Sequence, residues 1–266
     1  MAGSQAFREA LSEAHDWCEA LGHKVVRSRH GRLVSDPEHP SVWSANHMSG
    51  VRASSPEEIE QALADLEAAF AGSPYRVVDA DALTPPGLLA RLALEDFQEQ
   101  PAVVLMALEG PMAEVVGPPG LQIRAVASEA DWEAFRHLHQ LDCEEGAAAG
   151  RPLSKEVIEG LFDGLRRKAE AGRFFVGRLG GRPCSRAIAI AAPGGFGLVD
   201  DVFTTREHRR RGVASAMIAR CVESLTSDGA ATAFLTARVL DHPKQLYARL
   251  GFQPVMLARR WVKTVG

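Results

Sequence analysis

The stretch of this chain with the greatest capacity for chemistry is Val202-Phe203-Thr204-Thr205-Arg206-Glu207-His208-Arg209-Arg210-Arg211-Gly212-Val213-Ala214. Its first residues are strand formers, its middle is a basic turn, and from Val213 onward it has helical periodicity. Such a turn offers an anion backbone N–H groups, the positive end of a helix dipole, and the guanidinium groups of Arg209, Arg210 and Arg211. Gly212 lets the main chain approach a phosphate closely, and the small Ala214 leaves the first helical turn unobstructed. The expected guest is a pyrophosphate. Asp200 and Asp201 stand on the strand leading into the turn. Side chains alternate across a strand, so only one of the two faces the cleft, and the sequence leaves open which. A buried carboxylate there is a candidate to accept a proton, directly or through water, or to bind a cationic substrate.

The spacing of Arg209, Gly212 and Ala214 resembles the R/Q-x-x-G-x-G/A signature of the GCN5-related N-acetyltransferase (GNAT) superfamily. Leu246-Tyr247 followed by Leu250-Gly251-Phe252 resembles the LY-x-x-LGF segment of the same family. The resemblance covers about residues 121–264 and implies an acyl-CoA N-acyltransferase fold, acetyl-CoA as acyl donor, no metal, and acetyl transfer to a primary amine. It also implies roles. Tyr247 would be the acid that protonates the departing thiolate, with Asp200 or Asp201 as the candidate base. Val202, Phe203, Thr204, Arg209, Arg210, Arg211, Gly212, Val213, Ala214 and Ser215 would hold the cofactor. Main-chain groups of Val202 and Thr204 would pair with the pantetheine amides, and the peptide N–H near Val202 would polarise the thioester carbonyl. One departure is that Leu240 to His242 occupy the place where many members carry an asparagine. The expected acceptor is a small-molecule amine. A protein or peptide N-acetyltransferase and a non-catalytic acetyl-CoA-binding regulator are the alternatives.

The elements that must position these residues follow from periodicity. Leu121 to Val126 alternates as a strand, and Trp132, Phe135, Leu138 and Leu141 fall at helical spacing. A loop from Asp142 to Pro152, carrying the acids Asp142, Glu144 and Glu145, is expected before a second helix capped by Ser154. Phe174 to Leu179 and Ser185 to Ala191 form a hairpin around Gly180-Gly181, and Gly197 to Thr204 is the strand that enters the arginine turn. Val213, Met217, Ile218, Cys221, Val222 and Leu225 mark the helix that leaves it. A strand from Thr232 to Val239, a short helix from Pro243 to Leu250 and a strand from Val255 to Val262 complete a mixed α/β sheet with helices on its faces.

An internal repeat accompanies this plan. Leu88-Leu89-Ala90-Arg91-Leu92 matches Leu246-Tyr247-Ala248-Arg249-Leu250, and each is followed by a phenylalanine and an apolar strand. Upstream, the helix of Ile59, Leu63, Leu66 and Phe70 and the strand from Tyr75 repeat the order of the helix from Val213 and the strand from Thr232. In the first copy Leu89 replaces the tyrosine, and Arg52-Ala53-Ser54-Ser55-Pro56-Glu57-Glu58 replaces the arginine turn, with two acids where phosphates would sit. We therefore expect a degenerate, partial GNAT-like domain at residues 1–116 and a catalytic domain at 121–266, divided at Gly117-Pro118-Pro119-Gly120. Trp43, Asn46 and His47 are expected as core or surface residues of the first domain.

Composition sets the outer limits. The chain has 266 residues, 46% of them hydrophobic and 24% charged, enough apolar content for one or two ordinary cores. A formal net charge of -4 gives no general attraction to phosphate backbones or anionic lipid, so neither a nucleic acid nor a membrane is an expected partner. Cys18, Cys143, Cys184 and Cys221 show no metal-ligand or disulfide spacing. Met1 to Ala10 lacks the apolar run of a secretion signal, and a cytoplasmic monomer or homodimer is the expectation.

Overall fold

The computed structural model describes residues 3–241 and 243–265. In chain order the first half comprises α1 (Gln5–Ala20), β1 (Lys24–Arg27), β2 (Arg32–Ser35), β3 (His47–Ser49), α2 (Pro56–Ala69), β4 (Tyr75–Asp81), α3 (Pro86–Leu94), β5 (Gln98–Glu99) and β6 (Val103–Leu108). The second half comprises β7 (Gln122–Ala125), α4 (Glu129–Ala148), α5 (Lys155–Lys168), β8 (Gly172–Leu179), β9 (Arg182–Ala192), β10 (Phe196–Thr204), α6 (Val213–Ser227), β11 (Thr232–Arg238), α7 (Pro243–Leu250) and β12 (Phe252–Thr264).

The chain forms two compact units, and neither is a single run of sequence. Unit 1 comprises Met1–Leu105, Ala237–Asp241 and Pro254–Gly266, and unit 2 comprises Met106–Thr236 and His242–Gln253. The Gly117–Gly120 segment lies inside unit 2, while β12 from Pro254 onward joins unit 1. Strand edges explain how this is possible: unpaired N–H and C=O groups accept any strand of matching register, whichever half of the chain supplies it.

In unit 1 the strand order is β1-β2-β3-β4-β12. β1/β2 and β2/β3 are antiparallel, β3/β4 is parallel, and β4/β12 is antiparallel. One face of this sheet buries Met48, Val78, Ala80 and Trp261 against Ile59 and Leu66 of α2 and Leu88 and Leu92 of α3. Pleating sends the alternate residues to the other face, where Asp79 of β4 accepts two hydrogen bonds from Arg260 of β12 at 2.6 and 2.5 Å. Asn46, buried in the turn before β3, accepts from the Asp36 N–H and donates to the carbonyls of His39 and Val42. His47 is fully buried, and Trp43 packs edge-on against Tyr75.

In unit 2 the order is β11-β10-β9-β8-β7. β8/β9 and β9/β10 are antiparallel and β10/β11 is parallel, the same succession of pairings as β1 to β4. Each parallel pair is bridged by a helix, α2 in the first copy and α6 in the second. One supersecondary plan is used twice, as the repeat in the sequence implies. α6 lies very close to its sheet. A Cβ on Gly197 of β10 would come within 2.8 Å of Leu225, so glycine at 197 is what allows the contact. On the other face Phe135 and Leu138 of α4 are fully buried, and Trp132 and Phe135 pack against Phe174 of β8. Here α4 is longer than its apolar spacing predicts. It continues through Ala148, so most of the expected Asp142 to Pro152 loop is helical. Alanines and glutamates favour the helix after the apolar stripe has ended.

Candidate functional site

β10 is bent where the two aspartates fall. Its register with β9 runs to Asp200↔Ile188 and resumes at Phe203↔Arg186, so β10 carries one extra residue, a β-bulge. Asp201 occupies the left-handed region at φ 51°, unusual for a residue other than glycine. Pairing with β11 stops at Val199↔Leu235, and from there to Thr204 β10 runs without that partner.

The bend separates the two carboxylates that sequence alternation left undecided. Asp201 accepts two hydrogen bonds of 2.6 Å from Arg186, through Nε and Nη2. Asp200 instead lies near enough to Tyr247 for its charge to act on the phenol. Tyr247, on α7, is 8% exposed and meets Phe252 edge-on. Burial, followed by the Asp200 carboxylate, pushes its hydroxyl up to about 12.

The arginine turn divides its guanidinium groups. Arg209 donates from Nε to the Thr204 carbonyl at 2.8 Å and from Nη2 to Glu145 of α4 at 2.6 Å. Arg206 also faces Glu145, at 3.4 Å. Arg209 therefore braces the turn against α4, and all three of Arg209, Arg210 and Arg211 are exposed. Gly212 is the N-cap of α6 at φ 83° and supplies no side-chain cap, so the first N–H groups of the helix have no side-chain cap from that position. A Cβ at 212 would also lie 3.4 Å from the carbonyl oxygen of Val116, a second reason for glycine here. Val213 is buried, Ala214 and Ser215 are half-buried, and Val202 is half-buried while Phe203 and Thr204 are buried. Leu240 is exposed, and His242 lies outside the described residues.

The repeat places α2 where α6 stands, and its N-terminus is closed. Ser55 caps it by accepting from the Glu58 N–H at 3.2 Å, and the Glu58 carboxylate accepts from the N–H groups of Ser54 and Ser55 at 2.9 and 3.2 Å. This capping box fills the end of the helix with an internal anion. Leu89, the counterpart of Tyr247, packs on the apolar core.

Sequence reasoning missed Arg186, and it read Glu145 as an acid of a loop rather than as a partner of the arginine turn. The signal for Arg186 was available, since it is the only charged residue within the apolar run from Cys184 to Ala192 and such a residue demands a buried partner. The pairing of Glu145 carried no signal, because its partners come from a segment more than 60 residues away. A cavity of about 520 Å³ also opens beside the turn, lined by His137 and Leu141 of α4, Arg182 and Pro183 of β9, and Thr205, Glu207 and His208.

The family model of the acetyltransferase (GNAT) domain matches residues 170–254. Among solved structures, a GCN5-related N-acetyltransferase from Kribbella flavida superposes with a TM-score of 0.73 at 22% identity, covering 97% of this chain and 95% of that one. A GCN5-related N-acetyltransferase from Sphaerobacter thermophilus gives a TM-score of 0.62 at 16% identity, covering 97% and 85%. A tandem GNAT protein from the clavulanic acid biosynthesis pathway gives 0.62 at 14% identity, covering 91% and 82%. No curated protein matches the sequence. At these identities the structural likenesses establish a shared fold.

Proposed function

We propose, from the match of residues 170–254 to the acetyltransferase (GNAT) domain model, that this chain transfers the acetyl group of acetyl-CoA to a primary amine of a small molecule. The observation that carries the reading is the α6 N-terminus, capped by Gly212 without a side chain and flanked by exposed Arg210 and Arg211, following a bent strand whose Asp200 acts electrostatically on Tyr247. Catalysis is assigned to residues 121–266, and residues 1–116 are assigned a non-catalytic, structural or acceptor-shaping role.

In this reading the pyrophosphate sits on the backbone N–H groups from Gly212 to Ser215, with Arg210 and Arg211 supplying charge. The main chain from Val202 to Thr204 runs beside the pantetheine. The amine nitrogen attacks the thioester carbon, and its proton passes to Asp200 or to water. As the C–S bond breaks, the thiolate takes the proton of Tyr247, which a hydroxyl held near 12 still carries at neutral pH. The phenolate then regains a proton from solvent.

The test is calorimetric titration with acetyl-CoA, followed by thiol release against a panel of amines, amino acids and aminoglycosides. We expect binding, and thiol release with at least one primary amine. Reversing both exposed charges, Arg210→Glu with Arg211→Glu, should weaken binding about tenfold or more. Absence of acetyl-CoA binding sinks the proposal. Binding without thiol release on the small-molecule panel, or on added peptides, would leave a silent regulator, and release with peptides alone would move the acceptor to proteins.

A further inference from the structure

The geometry points to Arg186 as a positioning residue for acyl transfer: by holding Asp201 in its left-handed conformation, it fixes the bend in β10 on which the thioester carbonyl is polarised. This inference rests on the acetyl-transfer reading above.

Arg186 is 1% exposed and carries a full set of partners. Nε and Nη2 go to the two Asp201 oxygens, Nη1 donates to the Leu138 carbonyl at 2.7 Å, and Nη2 also reaches Asp142 at 3.0 Å. The guanidinium lies between the rings of Phe135 and Phe203, 5.6 and 5.3 Å from their centroids. It is thus anchored to α4 by the Leu138 carbonyl, Asp142 and the Phe135 ring, while Phe203 and Asp201 meet it from β10. Asp201 is the point at which β10 departs from regular strand geometry, and the departure requires a backbone conformation that a side chain disfavours. Straightening the strand would swing the carboxylate away and leave a buried cation with half its partners.

The consequence lies in the backbone. Neither Asp201 nor Val202 has a partner in the β9 register, and the β11 register has already ended. The peptide groups at the bend are therefore the ones left available to a ligand, and their direction is set by the Asp201 dihedrals. A buried ion pair often stabilises no better than apolar residues of similar volume, and the role assigned to this one is to fix a single conformation.

The experiment reads the carbonyl itself. Acetyl-CoA labelled with carbon-13 at the acetyl carbonyl is bound to the full chain, and the change in carbonyl resonance on binding is compared among variants, with affinity measured by calorimetry and fold by circular dichroism. Asp201→Gly removes the carboxylate but lets the backbone adopt the bend without holding it there. Arg186→Met removes the anchor. Both should bind acetyl-CoA within about threefold of wild type, because the pyrophosphate end is untouched, yet lose most of the carbonyl shift. Asp201→Asn keeps an acceptor for Arg186 and should retain most of it. If Arg186→Met does not fold, Asp201→Gly decides alone. A folded Asp201→Gly with the full wild-type shift overturns the inference, as does a wild type that binds acetyl-CoA without any shift. A wild type that binds no acetyl-CoA removes the acetyl-transfer reading instead.

Discussion

Tyr247 carries the chemistry of the proposed reaction, and its environment sets when it can do so. Burial is the larger influence on its hydroxyl and the Asp200 carboxylate the smaller, and both favour the neutral phenol. Because the folded value is raised from 10 to about 12, the associated stabilisation is present below pH 10 and is lost as pH rises through about 12. Any alkaline loss of turnover caused by Tyr247 ionisation should therefore fall near pH 12 rather than near 10. Tyr247→Phe removes one hydroxyl from a packed ring. It should leave acetyl-CoA affinity unchanged and slow turnover by about 10²- to 10⁴-fold, with a smaller deficit at low pH where solvent protonates the thiolate more readily. Steady-state rates on a confirmed acceptor across pH measure both, and wild-type turnover would reduce Tyr247 to a packing role. Ionisation itself can be followed by ultraviolet titration, since the chain has only two tyrosines and Tyr75→Phe leaves the signal of Tyr247 alone.

At the scale of elements, the site depends on where α6 begins, and that depends on how closely α6 lies on the sheet. Gly197 permits an approach that a Cβ would block at 2.8 to 3.0 Å from Leu225. Gly197→Val should cost about 1–3 kcal/mol, seen as a lower urea midpoint with unchanged slope. It should also weaken acetyl-CoA binding, because a helix displaced at Leu225 moves its N-terminus. Full stability in the variant would mean that Leu225 repacks freely. α4 plays the complementary part from the other face, sending Asp142 to Arg186 and Glu145 to Arg209. Its last two turns hold the bend and the arginine turn, which is why a loop reading of Asp142 to Pro152 understated their role.

For the whole molecule, two copies of one plan have diverged at the point that matters for a phosphate. The α6 N-terminus is capped by a glycine without a side chain, whereas that of α2 is occupied by Ser55 and Glu58. Displacing an internal carboxylate that accepts from the N–H groups of Ser54 and Ser55 would cost a second acetyl-CoA both charge repulsion and lost hydrogen bonds. Calorimetric titration should give one acetyl-CoA per chain. Two equivalents would show that the first copy still binds. No helix among the described residues is long and apolar enough to cross a membrane.

The sequence by itself determined the local plan. The spacing of Arg209, Gly212 and Ala214, the Leu246-Tyr247 segment and the alternation of strand and helix patterns are properties of neighbouring residues, and they located the elements and the resemblance to the GNAT domain that the family model matches at residues 170–254. The repeat was legible for the same reason, since Leu88 to Leu92 and Leu246 to Leu250 are local matches. What only the tertiary structure decided was which groups meet across the chain. Alternation placed Asp200 and Asp201 on opposite sides but could not choose between them. The bulge, and the pairing of Asp201 with Arg186 from the preceding strand, are set by contacts across the sheet. Arg209 was legible as part of a basic turn, but its engagement by Glu145 joins segments 64 residues apart in sequence. The two compact units likewise exchange segments, because backbone hydrogen bonding at a strand edge depends on proximity in space and carries no memory of order along the chain.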